Sequence, residues 1–189
     1  MLKVAITGNI ASGKSQVEAL LIKDGYTVYD ADDIAHKVLD TLSEFYNQDV
    51  FTNGKIDRIK LGKLVFNNPE YRKKLENITH PKIKNEIIKL FEKHKNESVI
   101  FVSVPLLYEA GFETIFDKVI FVETDKTIQL ERLMKRNNLT IEDAKLRINA
   151  QMPQENKIAK ADFVVKNNTT LEELNKQLER VIELLKAEK

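Results

Sequence analysis

Gly8-Asn9-Ile10-Ala11-Ser12-Gly13-Lys14-Ser15 follows directly on the apolar run Val4-Ala5-Ile6 and fits the pattern G-x-x-x-x-G-K-[ST]. A buried-strand run in front and a helical pattern behind are the setting in which such a stretch works as a phosphate-binding loop. Two glycines let the backbone curl so that successive N–H groups face phosphate oxygens, and the helix that follows adds its positive end. In that reading Lys14 reaches the β- and γ-phosphates of a nucleotide and Ser15 ligates Mg²⁺. The competing structural reading is a strand-to-helix turn whose glycines serve tight packing. At average residue frequencies the four fixed positions coincide by chance in on the order of one chain in a hundred of this length, which favours nucleotide binding.

Working outward, the 189 residues suffice for one core with small appended subdomains. Hydrophobic residues make up 42% and charged residues 31%, with no Cys and no Trp, so neither a disulfide framework nor a thiolate metal site is available. A reducing cytoplasm is the expected compartment. Met1-Leu2-Lys3 runs straight into the first strand, and no apolar stretch approaches membrane-spanning length, so neither a signal peptide nor a membrane partner is expected. Thirty basic residues against 29 acidic ones leave a net charge of +1, which gives no global footprint of nucleic-acid binding. Local bias exists: Lys55 to Lys95 holds twelve Lys/Arg against five Asp/Glu, and Gln129 to Lys160 seven against four. Such fields would favour a polyphosphate substrate, although solvated lysine-rich helix faces account for most of these side chains individually.

The pattern predicts a helix over 14–23 and a second strand over 26–29, ending in Asp30-Ala31-Asp32-Asp33. In open parallel α/β sheets the ligand crevice lies beyond the carboxyl ends of the strands, so these carboxylates should share it with the loop. Capping of the next helix by Asp32 or Asp33 is the alternative, and for Asp33 it is the preferred one. Two of these residues in the D-x-D pattern, Asp30 and Asp32, instead suit accepting a proton from an attacking hydroxyl and holding metal-bound water. Helices are predicted over 34–42, 57–66, 70–77 and 81–95, the last starting at Thr79-His80-Pro81 with an apolar stripe of Ile83, Ile87, Ile88 and Phe91. This excursion exceeds what one crossover helix needs and should form a helical subdomain that covers the acceptor. Taken alone, His80 reads as structural.

Ser98 to Val104 is predicted as a central strand, with Pro105-Leu106-Leu107-Tyr108-Glu109 at its carboxyl end. Glu109 there either orients metal-bound water or substrate, or serves as a cap or surface residue. A fourth strand is expected over 118–123 and a fifth over 162–165, with Asn167-Asn168 as a turn. Between them a helix from Lys126 carries Arg132 and Arg136 on one face, and a second, started by a Thr140–Asp143 capping box, carries Arg147 and Gln151. A basic helical hairpin over a phosphate loop is a lid whose arginines close on the transferring group. Plain exposed helix arginines are the alternative, and it takes Arg132 more readily than Arg136 or Arg147. The terminal helix from Thr170 buries Leu171, Leu174, Leu178, Val181, Ile182 and Leu185. The expected fold is thus α/β, a three-layer core on a five-stranded parallel sheet. One domain spans 1–189, with a nucleotide-binding core (1–32, 97–125, 161–189), a helical insert (33–96) and a lid (126–160).

The series Gly8–Ser15, Asp30–His36, Gly54–Arg58, His80-Pro81, Val104–Glu109, Gln129–Leu133, Arg147–Gln151 and Ala161–Phe163 resembles the dephospho-coenzyme A kinase family over essentially the whole chain. The resemblance implies a P-loop kinase that phosphorylates the ribose 3′-hydroxyl of dephospho-coenzyme A with ATP and Mg²⁺. Catalytic residues would be Asp32 as base, Lys14, Arg136 and Arg147. The ATP-binding set would be Gly8, Asn9, Ala11, Ser12, Gly13, Lys14, Ser15 and Gln16, with Ser15 on the metal. Thr7, Asp32, His80, Pro105, Leu106 and Leu107 would form the acceptor side. The family often carries Gly at the positions of Asn9 and Ala11, and Gln16 stands where Thr is frequent. A monomer or weak homo-oligomer is expected, with a small-molecule substrate as the partner. Residue chemistry alone leaves open a related kinase of nucleoside monophosphates or sugar acids. A GTP-driven switch is disfavoured, because Asn53-Gly54-Lys55-Ile56-Asp57 misses the N-K-x-D spacing and D-x-x-G is missing.

Overall fold

The structure, a computed structural model, describes residues 1–42, 50–53 and 55–187. Gly54, at the head of the Gly54–Arg58 motif, lies outside the described residues. The chain divides into two compact units, residues 1–29 with 94–189 and residues 30–93.

The first unit is built on a five-stranded sheet. Its strands are β1 (Leu2–Thr7), β2 (Val28–Asp30), β5 (Val99–Ser103), β6 (Lys118–Glu123) and β7 (Phe163–Lys166), in the order β2-β5-β1-β6-β7. β1 runs parallel to both β5 and β6, and β6 parallel to β7. Val4, Ala5 and Ile6 are all fully buried, so both faces of the central strand are covered, as its continuous apolar run requires. On one face α1 (Lys14–Lys23) and α8 (Leu171–Ala187) pack through Val17, Leu20, Leu21, Leu174, Leu178, Val181, Ile182 and Leu185 onto Val4, Ile6, Phe101, Ile120, Val122 and Val165. Leu171, expected in the α8 stripe, is instead 51% exposed, at the first residue of the helix and outside the core cluster. After β6 come α5 (Lys126–Asn137), α6 (Ile141–Asn149) and the short α7 (Gln154–Ile158), which lies against β6. The Thr140 hydroxyl accepts the Asp143 N–H at 3.1 Å, the expected cap of α6. Helix α7 has no counterpart in the sequence reading.

The second unit holds α2 (Ala31–Asp40), a hairpin of β3 (Phe51–Thr52) and β4 (Lys55–Ile56), α3 (Arg58–Asn67) and α4 (Pro69–Lys93). Leu42, Val50, Leu61 and Leu75 centre its core. Two expectations are corrected here. Helix α2 starts three residues earlier than the spacing suggests, because Asp30 is its cap: Asp30 Oδ1 accepts the Asp32 N–H at 2.8 Å, leaving Asp32 and Asp33 in the first turn. Helix α4 runs unbroken through Pro81, with no new start at Thr79. Its buried residues are Leu75, Thr79, Ile83, Ile87 and Phe91, one every fourth position, whereas Ile88 is 39% exposed. No helix among the described residues is long and apolar enough to cross a membrane.

Candidate active site

β1 delivers the loop. Thr7, its last residue, is fully buried and pairs in register with Phe121, so Gly8 emerges beside β6. A Cβ at Gly8 would stand 2.6 Å from Ser12 Oγ and 2.7 Å from the Val122 carbonyl oxygen. The second contact is main chain, so a side chain there would have to part β1 from β6. Gly13 caps α1 with φ 87°, and a Cβ on it would meet Asn167 Nδ2 at 2.1 Å. Lys14 folds back over the loop and donates from Nζ to the Gly8 carbonyl at 2.9 Å, and the Ser12 N–H closes on Asn9 O at 3.0 Å.

Four distant segments hold this ring. Ile10 is clamped on both sides: its N–H donates to Gln151 Oε1 at 2.7 Å, and its carbonyl accepts from Gln129 Nε2 at 2.8 Å. Asn9 Nδ2 donates to Met152 O at 3.1 Å. Ser12 O accepts from Thr124 Oγ1 at 3.0 Å and from Asn167 Nδ2 at 2.8 Å, and the same Asn167 nitrogen donates to Gln16 Oε1 at 2.7 Å. The chemistry of the ring fits a polyphosphate. The hydroxyls of Thr7 and Ser12 are buried without a hydrogen-bond partner among the described residues, and the first N–H groups of α1 have no intrahelical carbonyl to bond. Ser15 stands exposed in the first helical turn, where a hydroxyl can ligate a hard cation held on phosphate oxygens.

On α5 and α6 the arginines differ from expectation in one respect. Arg136 and Arg147 are exposed, and Arg136 Nε donates to Asn137 Oδ1 at 2.9 Å. Arg132, which the spacing assigns most readily to the surface, is half-buried, and its Nη1 is enclosed without a partner among the described residues. A guanidinium keeps its charge, so an enclosed, unpaired N–H group is a vacant donor of the kind an anion satisfies.

The family model for dephospho-CoA kinase matches residues 2–173. The chain belongs to the dephospho-CoA kinase family. A dephospho-CoA kinase of Geobacillus kaustophilus is 43% identical over 187 residues, covering 94% of this chain and 93% of the relative. The solved dephospho-CoA kinase from Campylobacter jejuni superposes with a TM-score of 0.75 at 37% identity, covering 99% of this chain and 98% of that one. Shikimate kinase from Bacteroides thetaiotaomicron, 16% identical, gives a TM-score of 0.60 over 98% of each chain, and marks the shared P-loop kinase fold alone. The protein is therefore a kinase on a five-stranded parallel sheet.

The remaining residues singled out for a dephospho-CoA kinase fall as follows. Asp32 is exposed in the first turn of α2, and His80 is half-buried on α4, both in the second unit. Pro105 to Leu107 follow β5 in the first unit; Leu106 is 49% exposed while Leu107 is fully buried. Glu109 is exposed, as its surface reading expects, yet its carboxylate is engaged: its Oε1 accepts the Met152 N–H at 3.2 Å and lies 2.7 Å from Nζ of Lys157, whose side chain is fully buried. Tyr108, beside it, is held as a neutral phenol, its pKa pushed up to about 12 by burial first and then by the Asp162 and Glu113 carboxylates.

Gln129, Gln151 and Asn167 are named in the sequence motifs and turns without a role, and the structure gives them one. A signal existed for the first. Gln129 shares the buried face of α5 with Leu133 and is 3% exposed, and a polar side chain in an apolar stripe must find a partner. Asn167 gave only a turn signal. Its work depends on Ser12, 155 residues earlier. Gln16, which stands where Thr is frequent in the family, accepts the second Asn167 hydrogen bond.

Proposed function

We propose that the protein transfers the γ-phosphoryl group of ATP to the ribose 3′-hydroxyl of dephospho-coenzyme A, giving coenzyme A and ADP, the last step of coenzyme A synthesis. The observation that carries this is 43% identity to a dephospho-CoA kinase over 94% of the chain, and the close packing of the loop at Gly8 and Gly13 supports it.

Gly8, Asn9, Ala11, Ser12, Gly13 and Gln16 surround the triphosphate, and the α1 N-terminus and Lys14 neutralise its β- and γ-oxygens. Lys14 exchanges the Gly8 carbonyl for phosphate when nucleotide enters. Ser15 would hold Mg²⁺, which supplies charge neutralisation between the β- and γ-phosphates. Arg136 and Arg147 gather developing charge on the transferred group, and the enclosed Arg132 donor adds to them. Asp32 accepts the proton of the attacking hydroxyl. Thr7, His80, Pro105, Leu106 and Leu107 belong to the acceptor side.

Purified protein with ATP, Mg²⁺ and dephospho-coenzyme A should form ADP and coenzyme A. Adenylate, cytidylate, shikimate and gluconate at equal concentration should turn over far less; preference for any of them would replace this reading. Asp32→Asn should lose about 10²- to 10⁴-fold in kcat while nucleotide affinity stays near wild type, and normal turnover in that variant would remove Asp32 from the role of base.

A further inference from the structure

Lys157 stands apart from the other lysines. It sits on a helix of five residues, α7, yet its side chain is fully buried. Removing an ammonium from water is costly unless a carboxylate stands against it, and Glu109 Oε1 does so at 2.7 Å, close in distance though off the angle of a hydrogen bond. The same Glu109 oxygen accepts the Met152 N–H at 3.2 Å. The Met152 carbonyl then accepts from Asn9 Nδ2 at 3.1 Å, and its neighbour Gln151 takes the Ile10 N–H at 2.7 Å. Both polar groups of Met152 are thus engaged, one toward the ion pair and one toward the phosphate loop.

We propose that Lys157 is a positioning residue for the phosphate loop, acting through Glu109 and the Met152 backbone on Asn9 and Ile10. Asn9 is 4% exposed and its Oδ1 has no partner among the described residues, so its amide is oriented from the side of Met152 O, an acceptor that only the NH2 end of the amide can meet. A displacement of residues 151–152 is therefore passed to the loop directly. The four groups form a relay in which the buried cation fixes a carboxylate, the carboxylate fixes a peptide, and the peptide fixes the first half of the phosphate cradle. Glu109 and Lys157 need not touch nucleotide to set its affinity. A pair that merely stabilised the fold would raise the unfolding midpoint and leave the loop alone.

The test is a double-mutant cycle of Lys157→Met and Asn9→Ala. It is read by KM for each substrate, by nucleotide titration and by amide exchange at Ile10 in nucleotide-free protein. Lys157→Met should raise KM for ATP by about tenfold to a hundredfold, the scale of a small misplacement of a binding element, with KM for dephospho-coenzyme A little changed. Asn9→Ala should do the same, and the double variant should be no worse than the poorer single one, since coupled residues are not additive. Ile10 should exchange faster in Lys157→Met. A lowered unfolding midpoint with KM for ATP and Ile10 exchange unchanged, or effects of the two substitutions that multiply, would overturn the proposal. Should Lys157→Met not fold, Lys157→Gln, which stays polar but is shorter and loses the charge that holds Glu109, enters the same cycle, and the same results support or overturn the proposal. The KM arm rests on the function proposed above. If the wild-type chain does not turn over dephospho-coenzyme A, nucleotide titration and Ile10 exchange still decide this proposal separately.

Discussion

Ala11 holds φ at 60°, a left-handed backbone that costs an L-residue about 1–2 kcal/mol. Asn9 is outside the positive-φ set, so of the two loop positions where the family often carries Gly, only Ala11 bears that strain. The strain is sustained because Ile10 and Ser12 on either side are each held by two hydrogen bonds or more. Ala11→Gly should raise unfolding stability by up to about 1 kcal/mol, the relief of strain less the greater freedom glycine gives the unfolded chain. Denaturant midpoints at constant slope would measure it. A midpoint at or below wild type would mean that the Ala11 methyl makes contacts worth as much as the strain. At the same scale, Asp30 rather than Asp32 or Asp33 caps α2.

Among elements, α4 shows best how packing overrides a local signal. Pro81 lacks an N–H, so the Asn77 carbonyl loses its intrahelical bond, and the residue before a proline is disfavoured in helical backbone. Thr79-His80-Pro81 accordingly reads as a boundary. What keeps the helix whole is its buried face, Leu75, Thr79, Ile83, Ile87 and Phe91, which continues across the proline, with Thr79 Oγ1 donating to Leu75 O at 2.9 Å. Pro81→Ala should therefore stabilise the protein by about 1–2 kcal/mol, restoring a helical bond against the entropy that proline removes from the unfolded chain. Thermal unfolding tests this, and a lower midpoint would show that α4 needs the proline for its path. The β3–β4 hairpin is the opposite case. Asn53-Gly54 is a strong two-residue hairpin signal, and Asn53 adopts φ 53°, yet the surrounding helical pattern masked it. The sheet strands and their helices were legible because their burial follows period and run length. Helix α7 was not, since five residues carry too little periodicity.

For the whole molecule, legibility ends where partners are far apart in sequence. The loop itself was readable from residues 8 to 15, but its tethers join positions 112 to 155 residues apart, and no local pattern encodes them. Ionisation is likewise a property of the assembled chain, and it sets how stability varies with pH. Glu97 is held below its ordinary range by the Thr27 hydroxyl and then His94, Asp57 by the Lys60 N–H and then Thr52, and Glu155 by Lys126. Their contribution is complete above the unfolded values of about 3.9 to 4.3 and is lost as pH falls through the lower folded values. Stability should thus hold level from pH 7 to about pH 5 and fall below about pH 4. Tyr108 acts in the other direction. Its pKa is pushed up to about 12, so the folded chain binds that proton more tightly than the unfolded one. Its contribution is complete below the unfolded value of about 10 and disappears as pH climbs from there toward the folded value. Tyr108→Phe keeps the ring, loses the phenol, and should flatten the alkaline decline while leaving the acid limb unchanged. Denaturant midpoints of both proteins from pH 3 to pH 11 would show this, and an alkaline decline of equal steepness in the variant would assign that loss to other groups.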